Sequence, residues 1–75
     1  MIGESVNVWM AVNDGIWSYG EPIRGMIRRP LAEVEPRPSG WTWTIFNYET
    51  DETKAGCTEK FHEAIEAAER AMGIE

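Results

Sequence analysis

The sequence predicts an α+β fold: a small antiparallel sheet of three to five strands with one C-terminal amphipathic helix packed on one face. Three observations carry this. Asn13-Asp14-Gly15 separates two runs rich in β-forming residues, the pattern of a tight hairpin whose turn needs positive φ at both central residues. Residues 41–48 read WTWTIFNY, an alternation that suits a single long, half-buried strand. Beyond Thr58 the apolar residues recur at helical spacing, and a sheet followed by a helix gives α+β rather than a parallel α/β order.

In the first run Val6, Val8, Met10 and Val12 share one strand face, with Asn7, Trp9 and Ala11 on the other. The second run, residues 16–19, ends where Gly20-Glu21-Pro22 breaks the chain. Residues 23–29 are expected to form a further strand that Pro30 stops, which would put Arg24 and Arg28 on one face and Arg29 on the other. Segment 30–40 (PLAEVEPRPSG) carries three prolines and a Ser-Gly pair, so it reads as an extended connector. In the strand at 41–48, Trp41, Trp43 and Ile45 point inward, and Thr42, Thr44, Phe46 and Tyr48 point outward. Residues 49–54 form a charged turn, and 55–57 return as a short edge strand.

A helix is expected over 58–72, with Thr58 as its N-cap, Glu59 and Glu63 in the first turns where the dipole favours acids, and Gly73 at C′. At 100° per residue Phe61, Ala64, Ile65, Ala68, Ala71 and Met72 gather on one side. Glu59, His62, Glu63, Glu66, Glu69 and Arg70 take the other.

With 75 residues and 8.5 kDa the chain is a single domain, 1–75. Surface scaling at this mass buries only about 62% of the unfolded surface, so the core is thin. Against it stand eight rings: Trp9, Trp17, Trp41, Trp43, Phe46, Phe61, Tyr19 and Tyr48. Each ring buries about 150–250 Å², more than one interior of this size holds. Some rings are therefore expected at a surface, with Trp9, Phe46 and Tyr48 as an aromatic interface on the uncovered sheet face and a homodimer as its natural product.

The net charge of −6 is unevenly spread. Residues 1–48 hold five acids (Glu4, Asp14, Glu21, Glu33, Glu35) against four arginines (Arg24, Arg28, Arg29, Arg37). Residues 49–75 hold eight acids (Glu49, Asp51, Glu52, Glu59, Glu63, Glu66, Glu69, Glu75) against Lys54, Lys60 and Arg70. An acidic C-terminal third opposes direct binding of nucleic acid or anionic membrane and suits a basic protein surface. A lone cysteine, no signal peptide in residues 1–10 and no run of 18 apolar residues make the cytoplasm the expected compartment.

No catalytic, cofactor or metal site is expected. Cys57 and His62 stand five residues apart without a third orienting group, so Cys57 reads as a small, half-buried strand-end residue. One His and one Cys do not make a zinc site by themselves, and the acids at 49, 51 and 52 lack the glycine-centred calcium-loop pattern. No glycine-rich phosphate loop is present. Arg24, Arg28 and Arg29 are expected to pair with the acidic helix or turn, with a nucleic-acid contact from these arginines and the aromatic sheet as the alternative.

Residues 40–73 run GWTWTIF, a turn, AGCT and then FHEAIEAAERAMG. This strand–turn–strand–helix unit resembles the AP2-like, arm-site DNA-binding domains of phage integrases, and the resemblance implies the same local fold. Those domains read DNA with a basic, aromatic sheet, whereas the strand at 41–48 holds no Lys or Arg. In size and charge the chain also resembles small acidic inhibitors of phages and mobile elements, including anti-CRISPR proteins. That resemblance implies stoichiometric blocking of a basic, nucleic-acid-binding surface on a host complex. The expected function is thus non-enzymatic protein binding through Glu49, Asp51, Glu52, Glu59, Glu63, Glu66 and Glu69. The alternatives are the nucleic-acid-binding module and a small dimerising structural domain.

Overall fold

The computed structural model describes residues 7–73; Val6, expected at the start of the first strand, lies outside them. Eight elements follow in order: β1 (Val8–Asn13), β2 (Ile16–Gly20), β3 (Pro22–Ile23), β4 (Met26–Ile27), β5 (Ala32–Arg37), β6 (Gly40–Asn47), β7 (Glu52–Thr58) and α1 (Phe61–Met72). Five strands make one sheet in the order β1-β2-β5-β6-β7, every neighbouring pair antiparallel, while β3 and β4 form a separate two-stranded ribbon. The helix packs across β5, β6 and β7.

The β1–β2 turn has the predicted geometry, with Asp14 at φ 50° and Gly15 at φ 78°. Period-two alternation then assigns the side chains. The register pairs Trp9 with Tyr19, Trp17 with Val34, and Val34 with Trp43, so these residues share one face. That face is the helix side, because Phe61 of α1 lies 5.4 Å from the ring of Trp17 and 4.9 Å from that of Trp41. The fully buried apolar residues are all small: Ala32, Val34, Ala64 and Ala68. Alanines on α1 let the helix approach the sheet closely, and half-buried rings wall the contact on its flanks.

Four expectations need correcting. The charged turn does not run over 49–54, and the strand after it is longer than 55–57, because β7 (Glu52–Thr58) pairs with β6 along its whole length. Segment 30–40 is not a connector, since it supplies β5, the middle strand. The alternation Ala32-Glu33-Val34-Glu35 buries Ala32 and Val34 completely. Pro36 is tolerated because β5 has there run past its pairing with β2, which stops at Trp17 and Val34. Residues 23–29 are not one strand either. Arg24 (φ 55°) and Gly25 (φ 78°) turn the chain back so that Ile23 faces Met26 and Pro22 faces Ile27.

The helix starts at Phe61, later than expected. Thr58 instead closes β7 opposite Trp41, and its hydroxyl donates to the Lys60 carbonyl at 2.9 Å. The residue before the helix, Lys60, is extended and supplies no side-chain cap. Pairing with β6 carries the strand through Thr58, so the chain enters the helix only after Lys60 and Thr58 sits too far from the first turn to cap it. The far end is as expected: Gly73 is left-handed (φ 80°) and its N–H donates to the carbonyls of Arg70 and Glu69.

Candidate functional site

The sheet's second side is partly roofed. A Cβ on Gly20 would meet the γ-methyl of Ile27 at 2.9 Å and the Pro30 backbone at 3.5 Å. Gly20 pairs with Val8 and so faces away from the helix, which places residues 27–30 across the open side of the sheet. Tyr48 fastens that crossing. Its hydroxyl donates to the Pro30 carbonyl, and the Arg29 guanidinium lies 4.2 Å over its ring. Phe46 stacks on Tyr48, centroids 6.4 Å apart.

Trp9, Phe46 and Tyr48 therefore do not form one aromatic interface. Trp9 lies on the helix side, tilted against Tyr19 at 5.0 Å, with its indole N–H donating to Glu69 Oε2 at 3.0 Å. Phe46 and Tyr48 brace the β4–β5 crossing. The uncovered centre of the open face is polar, with Glu33 and Glu35 of β5 beside Thr44 and Thr42 of β6. Arg37 joins this group, bonded to Glu35 and Thr42 at 3.3 Å each.

The seven acids divide into three groups. Glu59 follows the end of β7, whereas Glu49, Asp51 and Glu52 lie in or beside the turn at its start. The six intervening steps separate the two ends by roughly 20 Å. Glu69 is half-buried and occupied by Trp9, so it leaves the acidic surface. Glu59, Glu63 and Glu66 remain together, exposed along the outward ridge of the helix and its entry. Among the described residues none of the three makes an ion pair.

The arginines do not pair as expected. Arg29 is taken by Tyr48, while Arg24 and Arg28 are exposed and make no ion pair among the described residues. Two apolar neighbours that sequence reasoning missed, Ile23 and Met26, stand beside them with 46% and 60% of their surface exposed. The signal for them was Arg24-Gly25, which has the glycine of a two-residue hairpin turn without the Asn or Asp that normally announces one.

Cys57 is exposed, not half-buried, and belongs to the open side, where its Sγ lies 3.8 Å from Thr42 Oγ1. His62 is on the helix, so the sheet separates the two residues that a dyad would need together. Among the described residues no three His, Cys, Asp or Glu side chains gather to hold a metal ion. Among the described residues no helix is long and apolar enough to cross a membrane. No protein family, curated protein or solved structure matches this chain.

Proposed function

We propose that this chain is a non-enzymatic protein-binding domain that presents the ridge Glu59, Glu63 and Glu66 to a basic surface of its partner. One observation carries the reading. These three carboxylates are exposed and without ion pairs among the described residues; Glu63 and Glu66 stand on a helix whose opposite face is held by the buried Ala64 and Ala68, and Glu59 lies two residues before its first turn. A rigid element presents charge with little ordering cost on binding. Glu63 and Glu66 lie three residues apart on the helix, about one charge per 5 Å of rise, with Glu59 just before it. Duplex DNA carries one per roughly 1.7 Å of axis. The ridge therefore acts chiefly by steering and orienting the partner. The specific form we favour is a phage-type, anti-CRISPR-like inhibitor that occupies a nucleic-acid-binding surface of a host complex.

The sheet-based nucleic-acid reading is weaker, because Glu33 and Glu35 occupy the centre of the face that would meet phosphate. The experiment measures capture of a panel of basic nucleic-acid-binding proteins by wild type and by Glu59→Lys/Glu63→Lys/Glu66→Lys, at low and raised salt. The reading expects at least one partner whose association slows with salt and is lost in the triple variant. Capture undiminished by the reversal overturns it.

A further inference from the structure

We propose that the β3–β4 hairpin is a second docking surface, which takes an acidic polypeptide segment with a bulky apolar anchor against Ile23 and Met26. Ile23 and Met26 stand opposite each other and so share one face of the ribbon, while Pro22 and Ile27 share the other. Ile27 rests over Gly20 of the sheet. The face bearing Ile23 and Met26 therefore points to solvent, and their 46% and 60% exposure agrees with that.

Charge names the occupant. Residues 22–32 contain Arg24, Arg28 and Arg29 and no acid; Glu21, just before them, lines a cleft with Ile23 and Arg28, so the local balance is two positive charges. Arg29 is engaged with Tyr48, which leaves the guanidinium groups of Arg24 and Arg28 exposed beside the apolar pair. Arg24 also holds the left-handed conformation, φ 55°, which a long side chain adopts at a cost and which fixes where it leaves the turn. The ribbon is fastened from below by Ile27 on Gly20, and the chain leaving it by Tyr48 on Pro30. A partner thus meets a preformed surface of the composition that interface cores favour, arginine and methionine with apolar contact.

Other occupants fit less well. Nucleic acid would set the apolar pair against phosphate, and two free guanidinium groups fall short of the roughly 6–10 phosphate contacts that strong salt-dependent binding uses. An anionic membrane meets a molecule whose net charge is −6 with these three arginines included, so that the rest carries −9. A second copy offers its acidic helix ridge, but among the described residues the exposed large apolar side chains are Val12, Ile23, Met26 and Tyr48, none of them on that helix. The helix ridge thus supplies charge without an anchor, which favours a different chain as the occupant.

The test pans a random displayed peptide library on the folded protein, with Arg24→Glu/Arg28→Glu and Met26→Ser proteins as comparison targets and circular dichroism as the check on folding. Enriched peptides are expected to be acidic with a Leu, Phe or Trp anchor. They should lose about tenfold or more in affinity, some 1.4 kcal/mol, on either comparison target. They should retain it on Glu59→Lys/Glu63→Lys/Glu66→Lys, and their amide shift changes should cluster at residues 22–29. No enrichment over a scrambled library overturns the proposal, as does equal binding by Arg24→Glu/Arg28→Glu. It also fails if an oligonucleotide or anionic vesicle binds the hairpin more tightly than any peptide, or if hairpin-dependent self-association appears in sedimentation.

Discussion

The indole N–H of Trp9, on the first strand of the sheet, donates to the carboxylate of Glu69 in the last turns of the helix, 3.0 Å away and sixty residues on in sequence. This bond fastens the edge strand β1 to the helix, on the face of the sheet against which α1 packs. It also withdraws one acid from the surface. Glu69→Ala should cost about 1 kcal/mol, a charge-assisted bond discounted for partial exposure. Glu66→Ala, on the exposed ridge, should stay within about 0.5 kcal/mol. Urea unfolding of the two variants beside wild type checks this, and equal midpoints would remove any structural role for the bond.

The ring of Phe61 lies between Trp17 and Trp41 and couples β2, β6 and the start of the helix. Phe61→Ala should cost about 3 kcal/mol, at the lower end for a phenylalanine because the ring is half-buried. In a domain of this size that is a large share of the total stability. A melting temperature within a few degrees of wild type would contradict the packing.

Gly56 on β7 lies beneath Trp43 of β6, its cross-strand partner, and a Cβ there would come within 2.6 Å of the indole. Gly56→Ala should displace that ring and cost about 1–3 kcal/mol, the usual range for an overpacked contact. The near-ultraviolet circular dichroism of the tryptophans should change with it. An unchanged tryptophan signal would mean that the ring does not rest on the glycine.

Tyr48 should matter to the hairpin more than to the sheet. Tyr48→Phe removes the bond to the Pro30 carbonyl but keeps a ring beneath Arg29. Global stability should fall by only about 1 kcal/mol. Amide exchange at residues 22–29 should accelerate well beyond that of β5 and β6. Uniform acceleration across the domain would show that the crossing opens only with the whole fold.

Cys57 is exposed on the open side of the edge strand β7. A maleimide reagent should therefore label it in the native protein without denaturant and without change in far-ultraviolet circular dichroism. Labelling that requires urea would place the thiol inside the fold.

Strong periodicity was legible in the sequence alone. The hairpin at Asp14-Gly15, the inward row Trp41, Trp43 and Ile45, and the dry face of the helix follow from repeats of two and of 3.6 residues, which local stereochemistry dictates. The acidic character of the C-terminal third is composition, and the exposure of Glu63 and Glu66 needed only the helical repeat, whereas Glu59 is exposed in the bend before the helix. Tertiary structure decided everything that depends on which elements become neighbours. Three prolines masked the short alternation that makes β5 the middle strand, because a proline's missing N–H matters only where a neighbouring strand needs it. Thr58 was claimed by its pairing with Trp41 before it could cap the helix. Trp9 took the helix side, and Glu69 was spent on it, because the pairing order β1-β2-β5 carries the face of Val34 outward to the edge. The hairpin of Ile23 and Met26 is exposed because Ile27 found Gly20 to rest on. Each of these outcomes turns on a contact between residues distant in the chain, which no local pattern encodes.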